Sequence, residues 1–174
     1  LKPILLLACL VFFQQAALAA PFGQGTFGAD VPFGSATSLS IALGGNVSLN
    51  LTPSGQNFSG TGSHTVTVTS TDPVGYNLLV ASPAGTNMTN GGSIIPASSN
   101  TVAGPLAGNT WGYNTDGSNN FLGMKTTPAL LKSANGPFTA GDSTTVTYGA
   151  LTSIVTGAGS YSTSVVYTAV AQQE

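Results

Sequence analysis

Apolar and polar residues alternate along most of the chain from Leu39 onward. Leu39, Ile41 and Leu43 alternate with smaller or polar neighbours, and the alternation continues through residues 46–52. A period of two places successive side chains on opposite faces of a β-strand, one of them buried. The pattern recurs at residues 65–69, 76–80, 146–148, 153–155 and 161–169. No comparable stretch shows the helical period, so the pattern predicts a chain built from strands.

Turn sequences separate these segments. Glycine, proline, asparagine and aspartate favour turns because they adopt or stabilise the required backbone angles. They cluster at Gly44-Gly45, Pro53-Ser54-Gly55, Asp72-Pro73-Val74-Gly75, Asn90-Gly91-Gly92, Gly141-Asp142 and Gly157-Ala158-Gly159. We therefore predict an all-β fold of seven or eight strands, an antiparallel immunoglobulin-like β-sandwich over residues 37–174. Residues 83–139 are expected to form long connections and edge strands.

The first 20 residues have the pattern of a secretory signal peptide. Leu1-Lys2-Pro3 is followed by an apolar stretch over residues 4–13 and by small residues up to Ala20. That stretch is shorter than the ~20 residues needed to span a bilayer. We predict a signal over residues 1–19, with cleavage after Ala20 as the near alternative. The mature chain is then secreted, extracellular or at the cell surface, without a membrane span. Cys9 leaves with the signal, so no disulfide is expected.

Residues 20–36 form an extended N-terminal segment with its own alternation. Its apolar positions are Phe27, Ala29, Val31 and Phe33. Pro32 lacks a backbone N–H and therefore excludes this segment from the middle of a regular sheet. Such a segment can add itself to an open sheet edge of a neighbouring molecule as a donor strand. Two alternatives stay open at this point: an edge strand of its own domain, or a disordered leader.

Charge is scarce, and this limits the partners that the chain can bind. Only 5% of residues are charged, against about a quarter in average soluble domains. Without the signal, two lysines and five acids remain, so the net charge is −3. Nucleic-acid binding needs a basic surface, which this composition does not supply. Contacts between copies of the chain, by contrast, would require few charges to lose water.

Catalytic and metal-binding chemistry has little support in the sequence. His64 is the only histidine, and its position in a strand favours a structural role. Three of the five acids lie in turn sequences, which leaves no convincing carboxylate pair. Residues 114–120 carry alternating oxygen side chains, but they lack the closing glutamate of a calcium loop, so a plain turn is favoured. We predict no enzyme activity, no cofactor and no metal.

Two other sets of residues are candidates for binding or modification. Trp111, Tyr113 and Phe121 would suit an aromatic platform for sugars, although a lone tryptophan in a small sandwich favours a core position. Four asparagines fit the glycosylation sequon, a number that the abundance of Ser and Thr explains by chance. These candidate acceptors are Asn46, Asn50, Asn57 and Asn87.

The order of short motifs resembles a family of surface proteins. The motifs are Val47-Ser48-Leu49-Asn50-Leu51-Thr52, His64-Thr65-Val66-Thr67-Val68-Thr69, Thr71-Asp72-Pro73-Val74-Gly75-Tyr76-Asn77-Leu78, Asn109-Thr110-Trp111-Gly112-Tyr113, Thr144-Thr145-Val146-Thr147-Tyr148-Gly149-Ala150 and Val166-Tyr167-Thr168-Ala169-Val170. They resemble secreted β-sandwich surface proteins of candidate-phyla bacteria such as Saccharibacteria, of a pilin or fimbrial type. The resemblance implies an extracellular, non-enzymatic role and supplies no catalytic residues.

The functional expectation is a structural subunit of an extracellular filament or surface layer. Copies of the chain would be its partners, joined when the 27–33 segment of one adds a strand to the next. The alternative is a secreted adhesin module that binds carbohydrate or cell-surface ligands. The sequence ends at Glu174 directly after a predicted strand, which favours a repeating subunit over a tethered adhesin.

Overall fold

The structure, a computed structural model, describes residues 38–173 and confirms the predicted all-β antiparallel sandwich. The chain divides into two units, Leu1–Ala36 and Thr37–Glu174. The predicted signal peptide and donor strand lie outside the described residues, so both stay predictions. Within residues 38–173, no helix has the length and apolar character needed to cross a bilayer.

Ten strands of the described residues form two main sheets and a hairpin. The first sheet has the order β1-β3-β9-β7, and β2 pairs with the start of β3. The second sheet has the order β10-β4-β8, and β5 and β6 form the hairpin. The strands are β1 (Leu39–Leu43), β2 (Thr52–Ser54), β3 (Asn57–Ser70), β4 (Gly75–Ala81), β5 (Met88–Asn90), β6 (Ser93–Ile95), β7 (Thr110–Asn114), β8 (Ala129–Asn135), β9 (Phe138–Ser153) and β10 (Val166–Ala171).

The core lies between the inner faces of the two main sheets. Alternate residues of β3, β4 and β9 are buried while their neighbours are more exposed, as the period of two predicts. Tyr76 and Phe138 pack edge-on across the sheets, with ring centres 5.6 Å apart. The central buried side chains are Val66, Val68, Tyr76, Leu78, Val80, Trp111, Val146 and Tyr148.

The two main sheets differ in length, and this difference creates the site. β3 has 14 residues and β9 has 16, whereas β4 has only 7 and β10 only 6. The second sheet therefore faces only part of the first. Beyond His64, apolar side chains from irregular segments and from the β5–β6 hairpin pack against the core instead, among them Val47, Leu49, Leu51, Met88, Ile95, Tyr161 and Val165.

Four sequence predictions differ in detail from the structure. Residues 46–51 and 161–165 are not in strands, although their alternation predicted strands. Alternation indicates that one face of a segment is buried. It does not indicate whether a neighbouring strand is present to pair with the backbone of that segment. β9 ends at Ser153, so the predicted strand at residues 153–155 is instead a turn. Gly141-Asp142, predicted as a turn, lies inside β9, where Gly141 has a φ of 88°.

Candidate functional site

A groove of about 830 Å³ opens where the second sheet stops. Residues 45–51 form one wall, and residues 159–165 form the other. The inner face of the first sheet forms the floor through His64, Trp111 and Tyr148. Both walls are extended, and each carries alternate apolar residues that pack on the core.

Two glycines of β3 position the first wall. Gly60 and Gly62 share the inner face of β3 with the buried Val66 and Val68, as the period of two requires. A Cβ atom at Gly60 would lie 2.5 Å from the Asn50 carbonyl oxygen, and one at Gly62 would lie 2.7 Å from that of Ser48. The wall therefore crosses the inner face of β3, in the layer of the second sheet, and only glycine leaves room for it.

The backbone of the first wall is not paired as a β-strand with any other described segment. The Gly44 N–H donates to the Thr65 carbonyl at 2.8 Å, and pairing with β3 resumes only at Thr52. Between these points, residues 46–51 make no backbone–backbone hydrogen bond with any other described residue. Among residues 38–173, their N–H and C=O groups therefore have no backbone partner. Such groups in an extended segment can pair with an added strand.

Within the part of the chain that the structure describes, the second wall is paired along one edge only. Ser162 exchanges two backbone hydrogen bonds with Thr89, at 2.9 and 3.1 Å, and the Gln172 N–H donates to the Gly75 carbonyl. Successive residues of an extended chain direct their backbone groups to opposite edges. The backbone groups of the even-numbered residues therefore face Thr89 and Gly75. The backbone groups of Tyr161, Thr163 and Val165 face the other way, toward the groove.

The core is uncovered along the groove side of the sandwich. Ile41 and Leu43 of β1 pair with Val68 and Val66 of β3, so all four side chains share the inner face. Val66 and Val68 are fully buried, but Ile41 is 38% exposed and Leu43 is 53% exposed. Inward apolar side chains stay in water because no strand of residues 38–173 lies opposite them.

Three polar side chains are hydrogen-bonded to one another at the groove floor. His64 Nδ1 lies 2.9 Å from the Gly45 carbonyl and Nε2 lies 2.8 Å from the Tyr167 hydroxyl, which also bonds the Tyr148 hydroxyl. A carbonyl only accepts, so in the neutral ring Nδ1 carries the proton and Tyr167 donates to Nε2. Burial raises the pKa of both tyrosines. The network therefore ties β3 to β10 and to the first wall.

This network joins His64 to two tyrosines. The hydrogen-bond partners of His64 are a carbonyl and a tyrosine, and no carboxylate is among them. Asp72 instead accepts from the Val74 N–H at 2.9 Å, which confirms that it stabilises a turn. Among the described residues there is no group of three or more His, Cys, Asp or Glu side chains able to hold a metal ion.

The residues weighed as a calcium loop or as an aromatic platform lie in a turn and in the core. Asp116 accepts from the Ser118 N–H, and hydrogen bonds from Ser118 lower the pKa of the Asp116 carboxyl, so this loop is a turn closed on itself. Trp111 is fully buried and donates its indole N–H to the Thr86 carbonyl at 2.8 Å. Tyr113 and Phe121 are buried as well. The preferred interpretation of Trp111 as a core anchor is confirmed.

The other predicted site residues are scattered. Asn46 and Asn50 are exposed on the first wall of the groove, and Asn87 is exposed before β5. Asn57 is half-buried at the start of β3. Phe27, Ala29, Val31 and Phe33 lie outside the described residues. Glycosylation and strand donation both stay predictions.

Sequence reasoning missed the groove itself. It treated both walls as ordinary strands and assigned no role to Tyr167 or Tyr148. One signal was available: Gly60 and Gly62 lie two residues apart within a strand, a spacing that indicates close approach of another backbone on one face.

Comparisons with protein-family models, with curated proteins and with solved structures found no match. The resemblance to bacterial surface proteins therefore stays a prediction.

Proposed function

We propose that this chain is a structural subunit of an extracellular filament, similar to a pilus or fimbria, or of a surface layer. Copies join when an extended segment of one adds a strand to the sandwich of the next. The groove is the observation that supports this proposal. It combines an open backbone edge with uncovered core side chains, and one added strand would satisfy both.

The chemistry of the groove favours a peptide strand over a small molecule. Tyr161, Thr163 and Val165 line one side at the spacing of a strand, and residues 46–51 line the other. Among the described residues, neither set makes a backbone–backbone hydrogen bond. A second strand is the ligand whose donors and acceptors repeat with that spacing. Its alternate side chains would cover the apolar floor.

Composition supports assembly with copies of the chain. With 5% charged residues, contacts between copies would bury few charges, and little electrostatic repulsion opposes them. The predicted signal peptide supports an extracellular location. The adhesin alternative has less support, because its proposed platform residues, Trp111, Tyr113 and Phe121, are buried.

Deletion of residues 21–35 tests the proposal. We expect the full chain to form filaments or sheets in negative-stain electron microscopy. The deletion variant should stay monomeric in sedimentation and keep its β-sheet circular dichroism, because the proposed donor is absent and the sandwich is intact.

Point variants of the same segment supply a matched control. Phe27→Ser with Phe33→Ser should prevent assembly, whereas Gly28→Ser with Asp30→Asn changes the other face and should allow it. Assembly of the deletion variant at the rate of the full chain would contradict the proposal.

A further inference from the structure

The β5–β6 hairpin carries an asparagine–glycine pair at its turn. Asn90 ends β5 and pairs with Ser93 of β6, so Gly91 and Gly92 form a two-residue turn. We propose that Asn90 is a site of spontaneous covalent modification, at which the asparagine converts to aspartate and isoaspartate as the protein ages. The conversion requires no contact between copies, so it is independent of the proposed function.

The reaction uses only the chain and water. The backbone nitrogen of Gly91 attacks the side-chain carbonyl carbon of Asn90, and a new C–N bond closes a five-membered succinimide ring. The side-chain amide nitrogen leaves as ammonia and takes the proton that the Gly91 nitrogen loses. Water then opens the ring at either of its two carbonyl carbons, which gives aspartate or isoaspartate. One water is consumed and one ammonia is released, so no oxidant, metal or enzyme is required.

The structure leaves the attacking nitrogen accessible. A side chain on the residue after asparagine would hinder that nitrogen, and glycine has none. Gly91 has a φ of 56°, and a Cβ atom at Gly91 or Gly92 would meet nothing within 4 Å. Within residues 38–173, the Gly91 N–H makes no backbone–backbone hydrogen bond. The turn can therefore move enough to bring the nitrogen to the Asn90 side chain.

A second asparagine–glycine pair supplies an internal comparison. Asn135 ends β8 and is followed by Gly136. The Gly136 N–H donates to the Val74 carbonyl at 3.1 Å, so this nitrogen must lose a hydrogen bond before it can attack. Asn135 is more exposed than Asn90, so exposure alone would predict the opposite order. The hydrogen bonding makes Asn90 the faster site.

Conversion of Asn90 would affect the second wall of the groove. Asn90 directly follows Thr89, which exchanges two backbone hydrogen bonds with Ser162 of that wall. The Asn90 side chain also packs against Gly159, where an added Cβ atom would overlap the Asn90 amide nitrogen. Isoaspartate routes the main chain through the former side chain and lengthens it by one atom. It would therefore disturb the pairing of β5 with β6 and, next to it, the bonds to Ser162.

Aspartate, the other product, keeps the main chain but adds a negative charge. Residues 149–173 contain no acidic or basic side chain. The new carboxylate would lie beside Gly159, and that part of the chain offers no cation to pair with it. Both products should therefore loosen the contact between the hairpin and the second wall.

Peptide mapping of the ageing protein tests the site. The folded chain is incubated for weeks in a warm, mildly alkaline buffer, and samples are digested with chymotrypsin and analysed by mass spectrometry. Each conversion replaces an amide by a carboxyl group and raises the peptide mass by about 1 Da. We expect Asn90 to convert about two- to tenfold faster than Asn135, the factor that one protecting hydrogen bond supplies.

The same measurement in concentrated urea is the matched control. Unfolding removes the hydrogen bond between Gly136 and Val74, so the two sites should then convert at rates within about twofold of each other. Equal rates in the folded chain, or faster conversion of Asn135, would overturn the proposed site. So would a folded chain in which Asn90 stays intact while the urea sample converts.

A pair of variants tests the effect on the wall. Asn90→Asp reproduces one product, and Asn135→Asp adds the same charge at a turn that does not line the groove. Hydrogen exchange at the Thr89 and Ser162 amides should be at least about twofold faster in Asn90→Asp than in the parent chain, and unchanged in Asn135→Asp. Equal exchange in the two variants would overturn the proposed effect of the modification on the second wall.

Discussion

Asp142 joins the two sheets through a small polar cluster. Its carboxylate accepts from the Lys132 ammonium group of β8 at 2.7 Å and from the Tyr76 hydroxyl of β4 at 2.9 Å. Burial raises the pKa of this carboxyl, but the two hydrogen bonds and the lysine charge lower it by more, so it lies below its usual value. Both charged side chains are less than one-third exposed. The pair therefore loses less strength to solvent than a surface ion pair does.

We expect Asp142→Asn to lower the free energy of unfolding at pH 7 by about 1–2 kcal/mol, since one ion pair and one charged hydrogen bond are lost. A lowered pKa stabilises the fold above the unfolded value of about 4, and that stabilisation disappears as pH falls through the folded value. The difference between the parent chain and the variant should therefore shrink below pH ~4. Urea unfolding across a pH series measures both effects.

Asp116→Asn is the matched control for this prediction. Asp116 is fully exposed, and an amide oxygen can still accept from the Ser118 N–H. Its effect on the free energy of unfolding should be much smaller than that of Asp142→Asn. An equal loss of stability in both variants, or a loss in Asp142→Asn that does not change with pH, would show that the cluster does not join the sheets.

Little of this residue-scale chemistry could be predicted from the sequence. Gly141-Asp142 has the composition of a turn, but β9 continues through it because Gly141 adopts a positive φ within the strand. Lys132 and Asp142 are ten positions apart on neighbouring strands of the chain, and they meet across two sheets. Only the folded arrangement of the two sheets brings the Lys132 and Asp142 side chains together.

At the scale of the element, the first wall of the groove depends on the absence of side chains beneath it. A Cβ atom at Gly60 would lie 2.5 Å from the Asn50 carbonyl oxygen and 3.0 Å from the Asn50 carbonyl carbon. Both atoms belong to the backbone, so a side chain cannot rotate away to relieve the contact. Residues 46–51 would have to move as a unit.

We therefore expect Gly60→Ala to destabilise the sandwich by about 1–3 kcal/mol, the usual cost of forcing extra atoms into a packed site. Gly92→Ala is the control, because a Cβ atom at Gly92 meets nothing within 4 Å. That variant should change stability by less than about 0.5 kcal/mol. Thermal or urea unfolding of both variants makes the comparison, and equal stability would show that the wall does not rest on β3.

Sequence patterns located most of the strands but not their pairing. The period of two placed β1, the second half of β3, β4 and the centre of β9 correctly, because each has one face on the core. The same period appears at residues 46–51 and 161–165, which also have one face on the core. Among residues 38–173, however, the first segment has no paired strand and the second is paired only at Ser162. Side-chain alternation depends on burial alone, so it carries no information on which backbone groups find a partner.

At the scale of the whole molecule, the sandwich is stabilised mainly by apolar packing and strand pairing. The full sequence carries three bases and five acids, and Lys132 is paired within the fold. Contacts between copies therefore cannot depend on many ion pairs. If assembly proceeds by strand addition in an apolar groove, its driving forces are backbone hydrogen bonds and the hydrophobic effect.

Assembly should consequently respond weakly to simple salt. Raising sodium chloride from about 0.01 M to 1 M shortens the screening length from about 30 Å to 3 Å. An assembly driven by opposite charges would weaken severely over this range. We expect the critical concentration to change by less than about threefold in chloride, and to fall when sulfate strengthens apolar association. Sedimentation of assembled material against salt concentration measures it. A steep loss of assembly in chloride would show that charge holds the copies together, in which case an apolar strand in the groove could not be the main contact between them.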